Sequence, residues 1–255
     1  MACVREIRYD EMVNGGIISS DGELLALITG NSGVQILQIR SGELLFEIDE
    51  TATCISCMAF SPACHSPRLF ATGSFDGSMR VWDCVSRACV AKLQTPFPRT
   101  ITFSPNGCLL TAVTSYTDVQ LWRTDDWNSP PTVLANAVRW PFRLTFSCDS
   151  RLLVSFDGNI KLWQMTSNGV FAAVAVAIAG PALQKTLSCL AFSPVDNRLL
   201  AWGSQDGSLV LGRVSEGAVS IERTLERAPR GYTIYEYNLT FSPCGQTLAS
   251  ILDDR

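Results

Sequence analysis

The chain has 255 residues, a formal net charge of −4, 47% hydrophobic residues and only 17% charged residues. That composition supplies ample material for a core and excludes a disordered chain, which would combine low hydrophobicity with high charge. The acidic balance also excludes a bulk-basic nucleic-acid binder and a surface suited to anionic membranes, since both need a surplus of Lys and Arg.

Taken in chain order, Met1–Asp10 carries charges where a secretory signal would place an apolar segment. Within it, Cys3-Val4-Arg5-Glu6-Ile7-Arg8-Tyr9 alternates like an edge strand. A short phrase then begins to recur. Ile18-Ser19-Ser20 is a weak first copy, followed by Phe60-Ser61-Pro62, Phe103-Ser104-Pro105, Phe146-Ser147-Cys148, Phe192-Ser193-Pro194 and Phe241-Ser242-Pro243. Counted from Ile18, the spacings are 42, 43, 43, 46 and 49 residues, in or just above the range of propeller blades built from four strands.

Each copy has the same surroundings. An alternating strand leads into it, as in Ile55–Phe60 and Leu187–Phe192. A tight turn leaves it, as in Pro105-Asn106-Gly107 and Pro243-Cys244-Gly245, where Asn and Gly supply positive φ. Second strands are expected at Leu24–Ile28, Leu69–Thr72, Leu109–Val113, Leu152–Ser155, Leu199–Trp202 and Leu248–Ile251. A second turn opens each third strand: Asp76–Asp83, Asp157–Trp163 and Asp206–Gly212, with looser copies at Asn31–Leu37 and Tyr116–Trp122. Fourth strands such as Cys89–Leu93 and Ser220–Leu225 close the units. Val170–Ala179 is the longest apolar run. It is about half the roughly 20 residues that a bilayer requires, and it reads as two buried strand segments. The units fall at 13–50, 51–95, 96–136, 137–182 and 183–228, with a partial one at 229–255 and a closing strand expected within 1–10.

Repeats in this order and period resemble the WD-repeat family over essentially the whole chain, and Trp82-Asp83 is the one literal Trp-Asp pair. The resemblance implies an all-β fold: a β-propeller of four-stranded antiparallel blades, five full repeats and half of a sixth. The family's Gly-His dipeptide is missing, and His65 is the only histidine. The family's His–Ser/Thr–Asp–Trp hydrogen-bond network therefore cannot form in full, although Asp76, Asp157 and Asp206 hold its acidic position. Apolar packing between blades is expected to take over that role. Trp82, Trp122 and Trp163 share one offset and are expected to be packing residues. Aligning Leu248–Asp254 with Phe70–Asp76 puts Asp254 at the turn aspartate, which is expected of a piece of a longer chain.

Candidate chemistry has a simpler reading in each case. Cys54-Ile55-Ser56-Cys57 has redox spacing, but a reactive CxxC pair works at a helix N-terminus, and this one enters a strand whose i and i+3 positions face opposite ways. Cys57 also stands at the offset before Phe60 that Cys189 holds before Phe192, a place for a small buried residue. One histidine and no second CxxC at finger spacing leave zinc without a ligand set. His65 sits beside Cys64 in a surface turn, and neighbours on a loop rarely align as nucleophile and base. The repeat aspartates are turn formers that bond their own backbone. Asn238-Leu239-Thr240 matches a glycosylation sequon by chance. No catalytic, metal or cofactor position is assigned, and the chain is expected not to be an enzyme. Ten cysteines without an export signal point to a reducing, intracellular setting, cytoplasmic or nuclear.

Some aromatic and cationic residues exceed what a blade needs. Phe97-Pro98 and Trp140-Pro141 enter adjacent first strands, flanked by Arg99 and Arg139, and Tyr235 holds the same offset in the last unit. In the family, these entry loops open on the same face as the turns that carry Phe75, Tyr116 and Phe156. Aromatic residues and Arg are enriched at interfaces. The set reads either as a face for protein or peptide partners or as rings covering blade edges. The expected function is a non-catalytic scaffold. The alternative, a ligand-binding or enzymatic propeller, requires polar groups converging on the central channel with at least one perturbed titrating residue.

Overall fold

The structure, a computed structural model, describes residues 12–30, 33–49, 54–64, 68–114, 118–134, 143–156, 160–174, 177–179, 187–204, 208–215, 218–225, 232–233, 239–250 and 253–254. The expected closing strand, Cys3–Tyr9, lies outside these, as do His65, Asp157, Asp206 and Asn238. Two compact units make up the chain: residues 1–115 with 121–130, and residues 116–120 with 131–255.

All regular elements among the described residues are strands. The first sheet runs β1 (Val13–Ile18), β2 (Leu24–Thr29), β3 (Val34–Gln38), β4 (Leu44–Ile48), and the second β5 (Ile55–Phe60), β6 (Leu69–Ser74), β7 (Ser78–Asp83), β8 (Cys89–Gln94). The third holds β9 (Thr100–Phe103), β10 (Leu109–Thr114), β11 (Asp118–Arg123) and β12 (Thr132–Leu134) in the same serial order. The fourth holds β13 (Arg143–Phe146), β14 (Leu152–Phe156), β15 (Ile160–Met165) and β16 (Phe171–Val174). Each is a four-stranded blade in which sequence neighbours pair. The fifth sheet adds a strand: β17 (Ala177–Ala179) lies outside β21 (Ala218–Leu225), followed inward by β20 (Leu209–Ser215), β19 (Leu199–Ser204) and β18 (Leu187–Phe192).

The run 170–179 is thus two strand segments, as its sequence suggests, but in different sheets. Residues 177–179, within the span expected for the fourth unit, pair in the fifth sheet. Nor is the first segment wholly buried, because β16 is an outer strand whose Ala172 and Ala173 are exposed. In the sixth unit, β23 (Leu239–Phe241) pairs with β24 (Leu248–Ser250), and β22 (Tyr232–Thr233) with β25 (Asp253–Asp254). Asp254 therefore stands in a paired strand, not at the expected turn. The reason is local: Asp76 holds its turn through groups of Ser78, two residues on, whereas Asp254 is taken into a ladder opposite Tyr232.

The recurring serine makes the first turn of each of the first four blades in the same way. Ser19, Ser61, Ser104 and Ser147 are at most 5% exposed. Each hydroxyl accepts a hydrogen bond from the N–H that opens the second strand: Leu24 at 2.8 Å, Leu69 at 2.8 Å, Leu109 at 3.0 Å and Leu152 at 2.9 Å. Three of them donate onward to the side-chain oxygen two residues ahead, Asp21, Asn106 or Asp149, at 2.6–2.7 Å. The next residue takes positive φ, which Gly22 and Gly107 adopt without strain and Ser150 adopts at 60°.

Core clusters draw on neighbouring sheets. Phe70 of β6 packs with Leu24, Val34 and Ile36 of the first sheet, and Met79 and Val81 of β7 pack with Ile101, Phe103 and Trp122 of the third. In the other unit, Val154 and Leu162 of the fourth sheet meet Leu190, Leu200 and Trp202 of the fifth. The tryptophans are packing residues, with Trp122 at 3% and Trp163 at 8% exposure. Part of the polar network survives without histidine: Trp82 Nε1 donates to Thr72 Oγ1 at 3.3 Å, and Trp163 Nε1 to Ser155 Oγ at 3.2 Å.

The fifth blade exchanges these two positions. Register places Trp82 opposite Phe70 on β6, Trp163 opposite Leu153 on β14 and Gly212 opposite Leu200 on β19, so Gly212 stands where the second and fourth blades carry tryptophan. Trp202 stands where Thr72 does. A Cβ on Gly212 would overlap Cη2 and Cζ3 of Trp202, so the indole fills the space from the opposite strand. Its Nε1 is buried without a partner among the described residues, since the hydroxyl position is the one it now occupies.

Three predictions follow from these contacts. Ser104→Ala strands the partly buried N–H of Leu109 and should cost about 1–3 kcal/mol in urea unfolding. Trp202→Ser should cost about 3–5 kcal/mol, and Gly212→Trp should also destabilise, while the double substitution should recover most of the loss. Additive losses in that cycle would refute the exchange. The third concerns Asp149. Burial raises its pKa, but hydrogen bonds from Ser147, the Arg151 N–H and Asn197, with the Arg151 charge, outweigh it and hold the carboxyl below its ordinary 3.8. A depressed folded pKa stabilises above the unfolded value, and the gain disappears as pH falls through the folded one. Asp149→Asn, which places here the residue already used at 106, should leave neutral-pH melting nearly unchanged and flatten the loss of stability on acidification.

Candidate partner-binding face

One end of the second blade is built by the β6–β7 turn and the loop that leads from β8 into β9. Both are held by the backbone. Phe75 N–H donates to the Cys54 carbonyl at 3.0 Å, Ser74 Oγ to the same carbonyl at 3.1 Å, and Gly77 N–H to Ser74 O at 3.2 Å. Asp76 Oδ1 accepts from Ser78 N–H at 2.8 Å and Ser78 Oγ at 2.6 Å. Partial burial raises the Asp76 pKa, but both Ser78 groups, Ser74 and the charge of Arg80 outweigh it, so the carboxylate is ionised at neutral pH. It is a turn former, as its place in the repeat implies.

The entry loop is clamped at three points. Thr95 N–H donates to Gly77 O at 2.9 Å, Ser56 Oγ donates to Pro98 O at 2.6 Å, and Arg99 N–H donates to Val113 O at 3.1 Å. Pro98 is buried against Gly73, where a Cβ would lie 3.0 Å from Pro98 Cγ and 2.6 Å from Cys57 Sγ. Between the clamps, Phe97 is 54% exposed with φ 45°, a left-handed conformation that a bulky residue adopts only when its surroundings impose it. Phe75 is 53% exposed on the turn that Thr95 joins, and Arg99 is exposed beyond Pro98. The structure therefore brings Phe75, Phe97 and Arg99 to one end of this blade.

Of the other expected face residues, Tyr116, Arg139, Trp140 and Tyr235 lie outside the described residues, and Phe156 is described only in its backbone, as the last residue of β14. Sequence reasoning missed the Ser56 clamp. Its available signal was the Ser-Cys pair shared by Ser56-Cys57 and Ser188-Cys189 at one offset.

The CxxC segment has no redox poise. Burial pushes the Cys57 thiol up to about 11, only partly countered by hydrogen bonds from Ser56 and Gly73, while Cys54 is exposed just ahead of β5. Among the described residues, no three His, Cys, Asp or Glu side chains gather as a metal site. A cleft of about 360 Å³ lies along β13, β18 and β23, lined by Leu144, Thr145, Phe192, Thr240 and their neighbours. The lining contains no titratable side chain, so this cleft supplies neither acid nor base.

Residues 42–83 match the model of the WD domain, G-beta repeat. That stretch runs from the outer strand of the first blade through three strands of the second, so the sequence repeat straddles two sheets. The chain is 24% identical over 200 residues to angio-associated migratory cell protein of Homo sapiens, and equally to those of Pongo abelii and Canis lupus familiaris. Those matches cover 78% of this chain and 41% of the relatives, so the chain spans well under half the length of the curated relatives it matches. A solved chain from the crystal structure of the mitotic checkpoint complex superposes with a TM-score of 0.74 over 96% of this chain and 73% of its own, at 17% identity, which shows the fold alone. Repeat, blade architecture and relatives agree: the chain carries a WD-type repeat at residues 42–83 and folds into four-stranded antiparallel blades like those of WD-repeat propellers.

Proposed function

We propose that this chain is a non-catalytic scaffold whose blade-two end, carrying Phe75, Phe97 and Arg99, contacts a protein or peptide partner inside the cell. WD-repeat propellers typically serve as protein-interaction scaffolds, and the solved neighbour belongs to a complex. The observation that carries the residue assignment is Phe97. A half-exposed phenylalanine at positive φ gains little burial and carries backbone strain of about 1–3 kcal/mol, a poor arrangement for stability alone. It is a good one for binding, because three clamps fix the backbone that carries the ring before the partner arrives and lower the ordering cost of association. Cytoplasm or nucleus is the setting proposed. Its support is ten cysteines and free thiols at nine of them among the described residues.

The channel-ligand reading finds no support in the described cleft, whose polar side chains are threonines. The test of the scaffold reading is Phe97→Asn in the full chain, because Asn tolerates the left-handed region. Affinity for a partner identified by proximity labelling should fall about tenfold or more, with the melting temperature unchanged or raised. Parallel loss of affinity and melting temperature would make Phe97 a structural residue. Unchanged affinity would remove it from the interface.

A further inference from the structure

The outer edge of the fifth blade differs from the rest. Outer strands β4, β8, β12 and β16 are 5, 6, 3 and 4 residues long, whereas β21 is 8. A long outer strand offers a long row of backbone donors and acceptors, a template for pairing with another chain. The two ends of β21 are protected in different ways. Its C-terminal part carries the exposed residues Glu222, Arg223 and Thr224, whose charge and polarity oppose pairing between edges. Its N-terminal part, Ala218-Val219-Ser220, carries no charge and is the stretch covered by β17: Ala177 pairs with Ala218, Ile178 with Val219 and Ala179 with Ser220, in parallel. The cover falls where the strand's own sequence gives no protection.

We propose that β17 is an edge cap, and that without it the Ala218–Ser220 edge pairs with the same edge of a second copy of this chain. The occupant follows from the edge itself. Uncharged and short, it is self-complementary across a two-fold axis, in which like edges meet antiparallel. The cap consists of three residues that arrive on the edge before the blade's other four strands in sequence, so it can be removed without breaking any pairing among β18 to β21.

The test uses the full chain with Ile178→Pro, which removes a backbone donor from the middle of the cap. At low concentration, hydrogen exchange in a peptide covering 218–225 should rise several-fold over wild type, while peptides from β19 and β20 stay protected. As concentration rises, light scattering should show a dimer fraction larger than that of wild type, and exchange at 218–220 should fall again. Adding Ser220→Lys, at an exposed position on that edge, should restore the monomer. Ile178→Gly, a milder change, should give the same pattern at smaller amplitude if the proline variant fails to fold. Unchanged exchange at 218–220 would overturn the cap. A variant that is uncapped but monomeric at every concentration would overturn the pairing, as would a dimer that survives Ser220→Lys.

Discussion

A hydroxyl removed from solvent at the turn between the first two strands of each of the first four blades is the contact on which the architecture depends. Once a first strand has delivered its serine to the interior, the oxygen has to accept a hydrogen bond from inside the protein, and the N–H opening the second strand supplies it. That bond sets where the second strand starts and therefore its register, because a shift of one residue would turn every side chain of the strand to the wrong face. With Leu69 bonded to Ser61, Phe70 and Thr72 fall on the face that meets the Trp82 indole, and Leu69 and Ala71 on the face that packs toward the third sheet. A family network without its histidine thus keeps its order from a smaller polar unit, backed by apolar contact from sheet to sheet.

Most of this was legible in the residues, because a repeat states its own register. Phe-Ser-Pro marks the end of a first strand, and the glycine or asparagine after it marks the turn. The six copies together say more than any one of them. What escaped was what a linear pattern does not encode. Ala177-Ile178-Ala179 reads as a strand, but nothing in three apolar residues says that its partner lies some forty positions later and runs parallel. Asp254 aligns with a turn residue, but nothing in the repeat says that it pairs with Tyr232 instead.

The face was legible in part and for a different reason. Exposed rings in loops are conspicuous, and Phe75 and Phe97 stand out by type alone. The backbone state of Phe97 was not readable, since positive φ at that residue results from closing a loop between a carbonyl on the β6–β7 turn and a hydroxyl on β5. Ser56 drew attention only as the filler of a cysteine motif, yet its hydroxyl carries the contact there, while the cysteine beside it is a small buried side chain with its thiol proton held in place.

The exchange of Trp202 and Gly212 constrains how this array can change. Its two arrangements, indole on the third strand or indole on the second, are alternative ways to fill one space, and every single-residue path between them passes through either a hole or a collision. The fifth blade is therefore isolated from its siblings in mutational terms. Copying a neighbouring blade's residue into one of these positions, as consensus engineering would, should fail there while succeeding elsewhere. The two sites have to be inherited, or redesigned, as one.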